Sequence, residues 1–170
     1  MPARFIKAAV FLALATALSG CARTSLKTGY PPNLRAVAAE PARKLLGQGQ
    51  RMVDLALSMV GQPYRYGGEA PGGFDCSGLV AYAARGADIR VPRTAREQLR
   101  IGKPIARSET RAGDLVFLHL AHKELHVGIA IGSDRFIHAP STGGFVRIDS
   151  FAAAPYAKRF LKARRIIAGP

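Results

Sequence analysis

The fourteen residues His126-Val127-Gly128-Ile129-Ala130-Ile131-Gly132-Ser133-Asp134-Arg135-Phe136-Ile137-His138-Ala139 decide how this chain is read. Val127, Ile129 and Ile131 alternate with small or polar residues, the two-residue period of a strand with one buried face. Gly132-Ser133-Asp134 is a turn signal, and Phe136 to Ala139 resumes as a second strand. The stretch predicts an antiparallel hairpin whose register depends on loop parity. A three-residue loop sets Ile131 opposite Arg135 and Gly128 opposite His138, which makes His126 and His138 diagonal neighbours on one face, roughly 7 Å apart at Cβ. A two-residue loop would send them to opposite faces.

Outward from the hairpin, Leu115 to Leu118 reads as a buried strand after Gly113, and Val146 to Ile148 and Phe160 to Ile167 complete about five strands. Upstream the period changes. Val53, Ala56, Leu57 and Val60, flanked by Met52, Leu55 and Met59, recur at helical spacing until Gly61 and Pro63. A second helix opens at Cys76, with Leu79, Val80 and Ala83 on one face, Gly86 as its stop and Phe74 packing beside it; a short third one spans Thr94 to Leu99. Helices first and strands second is the order of an α+β domain, with an antiparallel sheet and helices on one face.

The 170 residues, 48% of them apolar, suffice for one ordinary domain with a sizeable core. Lys and Arg number 25 against 11 Asp and Glu, a net charge of +14 that calls for an acidic partner: nucleic acid, an anionic membrane face or an acidic polymer. Few aromatic residues, no Trp and basic positions scattered apart from the Lys158 to Arg165 region leave little with which to stack or track a nucleic acid, so none is expected as a partner. Arg4 and Lys7, the apolar run Ala8 to Leu18 and the small residues after it form a secretory signal over residues 1–20, too short to span a bilayer. Leu18-Ser19-Gly20-Cys21 resembles the bacterial lipobox, in which the signal is cut before the cysteine and that cysteine receives lipid. Residues 21–49, with Pro31-Pro32 and Pro41 and no period that buries a face, read as a tether able to reach on the order of 80 Å; a short helix within Leu34 to Leu46 is conceivable. The folded domain is expected over residues 50–170.

Gly72-Gly73-Phe74-Asp75-Cys76-Ser77-Gly78-Leu79 places a cysteine on the first turn of a helix behind Asp75, a good N-cap. Free N–H groups and the positive dipole end there lower a thiol pKa, and the thiolate is the nucleophile; a free cysteine at a helix start is as often a small buried hydrophobe. A nucleophile wants a base and a third group to orient that base, which His126 and His138 supply if the sheet presents their shared face to the start of the Cys76 helix. His119-x-x-His122-x-x-x-His126 has metal-like spacing but lacks a helical pattern, a second cysteine or an acidic pair, so no metal is expected.

The chain closely resembles the NlpC-type cell-wall endopeptidases, a papain-like cysteine peptidase group, from about Met52 to Ile167. The resemblance rests on Pro63-Tyr64-Arg65-Tyr66-Gly67-Gly68, Phe74-Asp75-Cys76-Ser77-Gly78-Leu79-Val80, Pro92-Arg93-Thr94, Gly113-Asp114-Leu115-Val116-Phe117, His126-Val127-Gly128-Ile129, Phe136-Ile137-His138-Ala139 and Ala163-Arg164-Arg165. It implies a papain-like fold without cofactor, with Cys76 as nucleophile, His126 as base and His138 as the polar third member. Tyr64, Ser77 and Asp75 would stand at the oxyanion and substrate site, and Arg65 and Arg93 could meet carboxylates of the substrate. Ala130 departs from the bulky aromatic residue of many relatives, a change expected at the rim of the cleft. The expected substrate is the stem peptides or cross-bridges of peptidoglycan, cut by a monomer anchored through lipid on Cys21, at the outer membrane facing the periplasm if the cell has two membranes. A catalytically silent envelope lipoprotein that binds cell wall or a partner enzyme, and a thiol acyltransferase on the same fold, are the rival readings.

Overall fold

The computed structural model of the chain describes residues 47–120, 124–132, 134–141 and 144–167. The signal segment, Cys21, the tether up to residue 46 and His122 lie outside these residues. Helix α1 covers residues 47–57, so the last three residues given to the tether are already helical, and Gly49 packs against Ala112 and Ile167. Met52, Val53 and Ala56 are the face of α1 that enters the core; Val60, expected to extend that face, falls in the turn beyond the helix and is half exposed.

A two-stranded ribbon, β1 (Glu69–Ala70) and β2 (Gly73–Phe74), leads into α2 (Cys76–Gly86). Asp75 caps α2, its carboxylate accepting the Gly78 N–H at 2.6 Å. Gly78 is required for a reason the helix itself does not reveal: the Gly68 carbonyl crosses where its Cβ would stand. The short α3 (Ala95–Gln98) begins with a capping box in which Thr94 and Glu97 bond each other's backbone.

Six strands then form one antiparallel sheet in the order β3-β8-β4-β5-β6-β7: β3 (Lys103–Ile105), β4 (Leu115–His119), β5 (Leu125–Ala130), β6 (Arg135–His138), β7 (Arg147–Ser150) and β8 (Phe160–Arg165). Of these six, β3 is absent from the sequence reading: three residues around Pro104, too short to alternate. It sits at the sheet edge, where a missing N–H is tolerated. Asp114 anchors the sheet's centre, accepting a two-pronged bond from Arg165 at 3.0 and 2.8 Å and the Arg111 N–H at 2.7 Å.

Both faces of the sheet are buried, by different partners. Leu115, Phe117, Val127, Ile129 and Ile137 meet Leu79, Val80, Ala83 and Ala84 of α2 and the inner face of α1. Val116, Leu118, Ala130, Phe136 and Ala163 form a second core with Phe151 and Tyr156, from the chain between β7 and β8. The Arg107 guanidinium stacks 5.4 Å over the Phe151 ring and donates to the Phe151 carbonyl at 2.7 Å, closing this layer from outside. Ala130 belongs to this second core and is fully buried, so its departure from the aromatic pattern lies beneath the sheet and not on a cleft rim.

The hairpin register is the three-residue one: Ile129 pairs with Ile137, Ala130 with Phe136, and the Ile131 N–H donates to the Arg135 carbonyl. His126 and His138 therefore share the second face. Gly128, between His126 and Ala130 on that face, leaves the room for this: a Cβ there would lie 2.5 Å from Cδ2 of Phe136 and 3.2 Å from Cβ of His138. Gly128→Ala should lower stability by about 1–3 kcal/mol in urea unfolding, because the ring and the neighbouring Ile137 carbonyl must both give way. An unchanged midpoint would mean that the hairpin absorbs the methyl without cost.

Candidate active site

Helix α2 does not pack on the histidine face, as the sequence reading required; it packs on the opposite one, against Val127 and Ile129. Cys76 nevertheless opens into the same cleft as His126, at the end where β5 outruns its neighbour. The ladder to β6 is confined to Ile129↔Ile137 and Ala130↔Phe136, so Leu125 to Gly128 have no partner strand on that side among the described residues. The N-terminus of α2 arrives there, and the N–H groups of Val127, Ser77 and Cys76 itself lie near the Cys76 sulfur and favour its thiolate. Cys76 and His126 line one cleft of about 870 Å³ with Tyr64, Ser77, Arg93 and Arg96.

The thiol side of the cleft is held by one ion cluster. Arg93 donates to both carboxylate oxygens of Asp75 at 3.0 and 2.7 Å, to the Ser77 hydroxyl at 3.1 Å, and pairs with Glu69 at 2.9 Å. Asp75 also accepts the Gly67 N–H and the Ser77 hydroxyl. Burial works against ionising Asp75, but the bonds from Arg93 and Gly78 outweigh it and hold the carboxyl below its usual range. Asp75, Ser77 and Tyr64 all line the cleft. The side chains of Asp75 and Ser77, however, spend their bonds on the loop that carries Cys76. Arg93 is committed in the same way and is not held out for a substrate carboxylate.

The base side is a hydrogen-bonded chain. His126 Nε2 lies 2.7 Å from His138 Nδ1, and His138 Nε2 lies 2.9 Å from Asp149 Oδ2. Arg147 Nε donates to the same Asp149 oxygen at 2.8 Å. His138 is fully buried, its ring against Phe136 at 4.5 Å and edge-on to Tyr156 at 5.5 Å. Burial first, and His138 second, push His126 down to about 3. Burial pushes His138 down to about 4 against the pull of Asp149. Burial also pushes the Cys76 thiol up, with the Asp75 charge adding to it and the surrounding N–H groups opposing it. The helix start alone does not set this thiol. At neutral pH the cleft therefore holds a neutral thiol and a neutral imidazole.

Asp149 is the member of the chain that sequence reading missed. Phe136 pairs with Asp149 and His138 with Arg147 across β6 and β7, so Asp149 is diagonal to His138, as His138 is to His126. The signal was the same parity rule applied to the longer connection from Ala139 to Val146. His119, the other histidine of the metal-like spacing in the described residues, is exposed at the end of β4.

A cysteine on the first turn of a core helix, sharing a cleft with one of two hydrogen-bonded histidines on an antiparallel sheet, has the arrangement of the papain-like thiol hydrolases. Comparison narrows it. The NlpC/P60 family model matches residues 61–165, and the chain belongs to that family. It is 32% identical over 169 residues to the murein DD-endopeptidase MepS/murein LD-carboxypeptidase of Escherichia coli (strain K12), covering 92% of this chain and 89% of the relative. To the murein DD-endopeptidase MepH of the same strain it is 43% identical over 117 residues, 65% of this chain and 43% of that longer relative. The crystal structure of an NlpC/P60 family protein from Bacillus cereus ATCC 10987 superposes with a TM-score of 0.66 at 27% identity, over 71% of this chain and 40% of that one.

Two buried neutral histidines tie stability to acid. Their folded pKa values lie below the unfolded value of about 6.5, so the unfolded chain binds more protons in between, and stability falls as pH drops from about 6.5 toward 4. Urea unfolding at pH 7 and pH 5 should differ by about 4 kcal/mol, roughly 2 from each histidine, and His138→Gln should remove about half of the difference. Equal stability at the two pH values would show that the rings are not held neutral.

Proposed function

We propose that the protein is a peptidoglycan endopeptidase that hydrolyses amide bonds of stem peptides, D,D cross-links among them, through Cys76. The observation that carries this is the cleft in which Cys76 stands beside the buried His126–His138 chain. Family membership, and the names murein DD-endopeptidase borne by two relatives, support the substrate class. As Cys76 Sγ bonds to the carbonyl carbon, His126 takes the thiol proton and then gives it to the leaving amine. The resulting thioester is hydrolysed by water with His126 again as base. N–H groups at the start of α2, with Tyr64, face the developing oxyanion. Arg96, exposed in the cleft wall, takes the carboxylate-binding part expected of Arg65 and Arg93, of which Arg65 does not line the cleft. The signal over residues 1–20 and a lipid on Cys21 would hold this activity in the cell envelope, and the excess of Lys and Arg suits an acidic polymer.

Full-length protein incubated with purified cross-linked peptidoglycan should convert cross-linked muropeptides to monomers, and Cys76→Ala should not. Cross-links that survive both would sink the proposal; new amide products without loss of cross-links would move it to acyl transfer. Arg96→Ala should raise KM about fivefold, the equivalent of ~1 kcal/mol, with kcat little changed. Cys21→Ser should release the protein from membranes, and its retention would mean that lipid is not the anchor.

A further inference from the structure

The far end of the histidine chain decides which nitrogen is basic at the near end. An ionised carboxylate only accepts, so the contact between His138 Nε2 and Asp149 Oδ2 puts the proton on Nε2. Neutral His138 then has its lone pair on Nδ1, and His126 Nε2, 2.7 Å away, must be the donor. Neutral His126 is left with its lone pair on Nδ1, the nitrogen not taken by His138. Arg147 enforces this polarity, because its Nε–H can only donate and it shares Oδ2 with His138. Burial opposes ionisation of Asp149, but the hydrogen bonds from Arg147 and His138 hold its carboxyl below the usual range. A second bond, from Arg147 Nη2 to the Tyr156 hydroxyl at 3.2 Å, fixes the guanidinium, and Tyr156 in turn flanks the His138 ring.

We infer that Asp149, oriented by Arg147, is a positioning residue that sets the tautomers of both histidines and leaves Nδ1 of His126 as the base for Cys76. Its catalytic meaning rests on the peptidase reading; the tautomers themselves do not. An asparagine in its place would still turn its oxygen toward His138, since Arg147 demands an acceptor at the shared position. An alanine would leave His138 free to carry its proton on either nitrogen.

The test pairs kinetics with nitrogen NMR on the full chain. Asp149→Ala should lower kcat about 10- to 100-fold with KM within about twofold, whereas Asp149→Asn should lose less than about tenfold. In the wild-type spectrum His126 should be unprotonated at Nδ1 and protonated at Nε2, and Asp149→Ala should mix the two tautomers. A wild-type His126 protonated at Nδ1, or Asp149→Ala with kcat within twofold of wild type, would overturn the inference. The wild-type spectrum needs neither a variant that folds nor a substrate. A protein inactive on peptidoglycan would therefore count against the peptidase reading and leave the tautomers to be decided by the spectrum.

Discussion

The 2.7 Å contact between His126 and His138 is what the rest of the structure accommodates. Two imidazoles meet in a dry pocket only if one donates and the other accepts, and only if something beyond them fixes which does which. The odd hairpin loop brings them to one face, Gly128 leaves space between them, and Phe136, Phe151 and Tyr156 keep water from their backs. Asp149 and Arg147 close the chain at its outer end. An unpaired buried imidazole would cost free energy comparable to a lost hydrogen bond, so these features stabilise the fold and prepare the site together.

The thiol is held by a separate device. The Asp75–Arg93 pair, with Ser77, Gly67 and Glu69, fixes the loop into α2, while the helix itself is buried against the other face of the sheet. The halves meet where β5 continues past its pairing with β6, beside the cleft that Cys76 and His126 both line. A sheet with both faces covered can thus bring a cysteine carried by the helix on one face and a histidine from the other to a single cleft, across a strand end.

Local pattern made much of this legible. Cys76 behind its cap, the alternation of Val127, Ile129 and Ile131, and the three-residue turn placed the helix start and both histidines, because each is a short-range feature. Three things escaped. Pro104 and a length of three hid β3. The face on which α2 packs depends on two competing hydrophobic layers, and a single strand's alternation does not say which layer the helix joins. Asp149 needed the register of an eight-residue connection, and charge on a strand reads as solvated surface until its partners are known. Arg93 shows the converse: a basic residue near Cys76 looks available for substrate until its acidic neighbours are seen to converge on it.

The most direct measurement is the titration of the His126 and His138 ring resonances by NMR in the folded protein. The expected result is that neither imidazole gains a proton between pH 8 and about 5, because burial holds their pKa values to about 3 and about 4. A titration of either ring near its ordinary value of about 6.5 would contradict the neutral, tautomer-fixed pair on which this reading of the cleft depends.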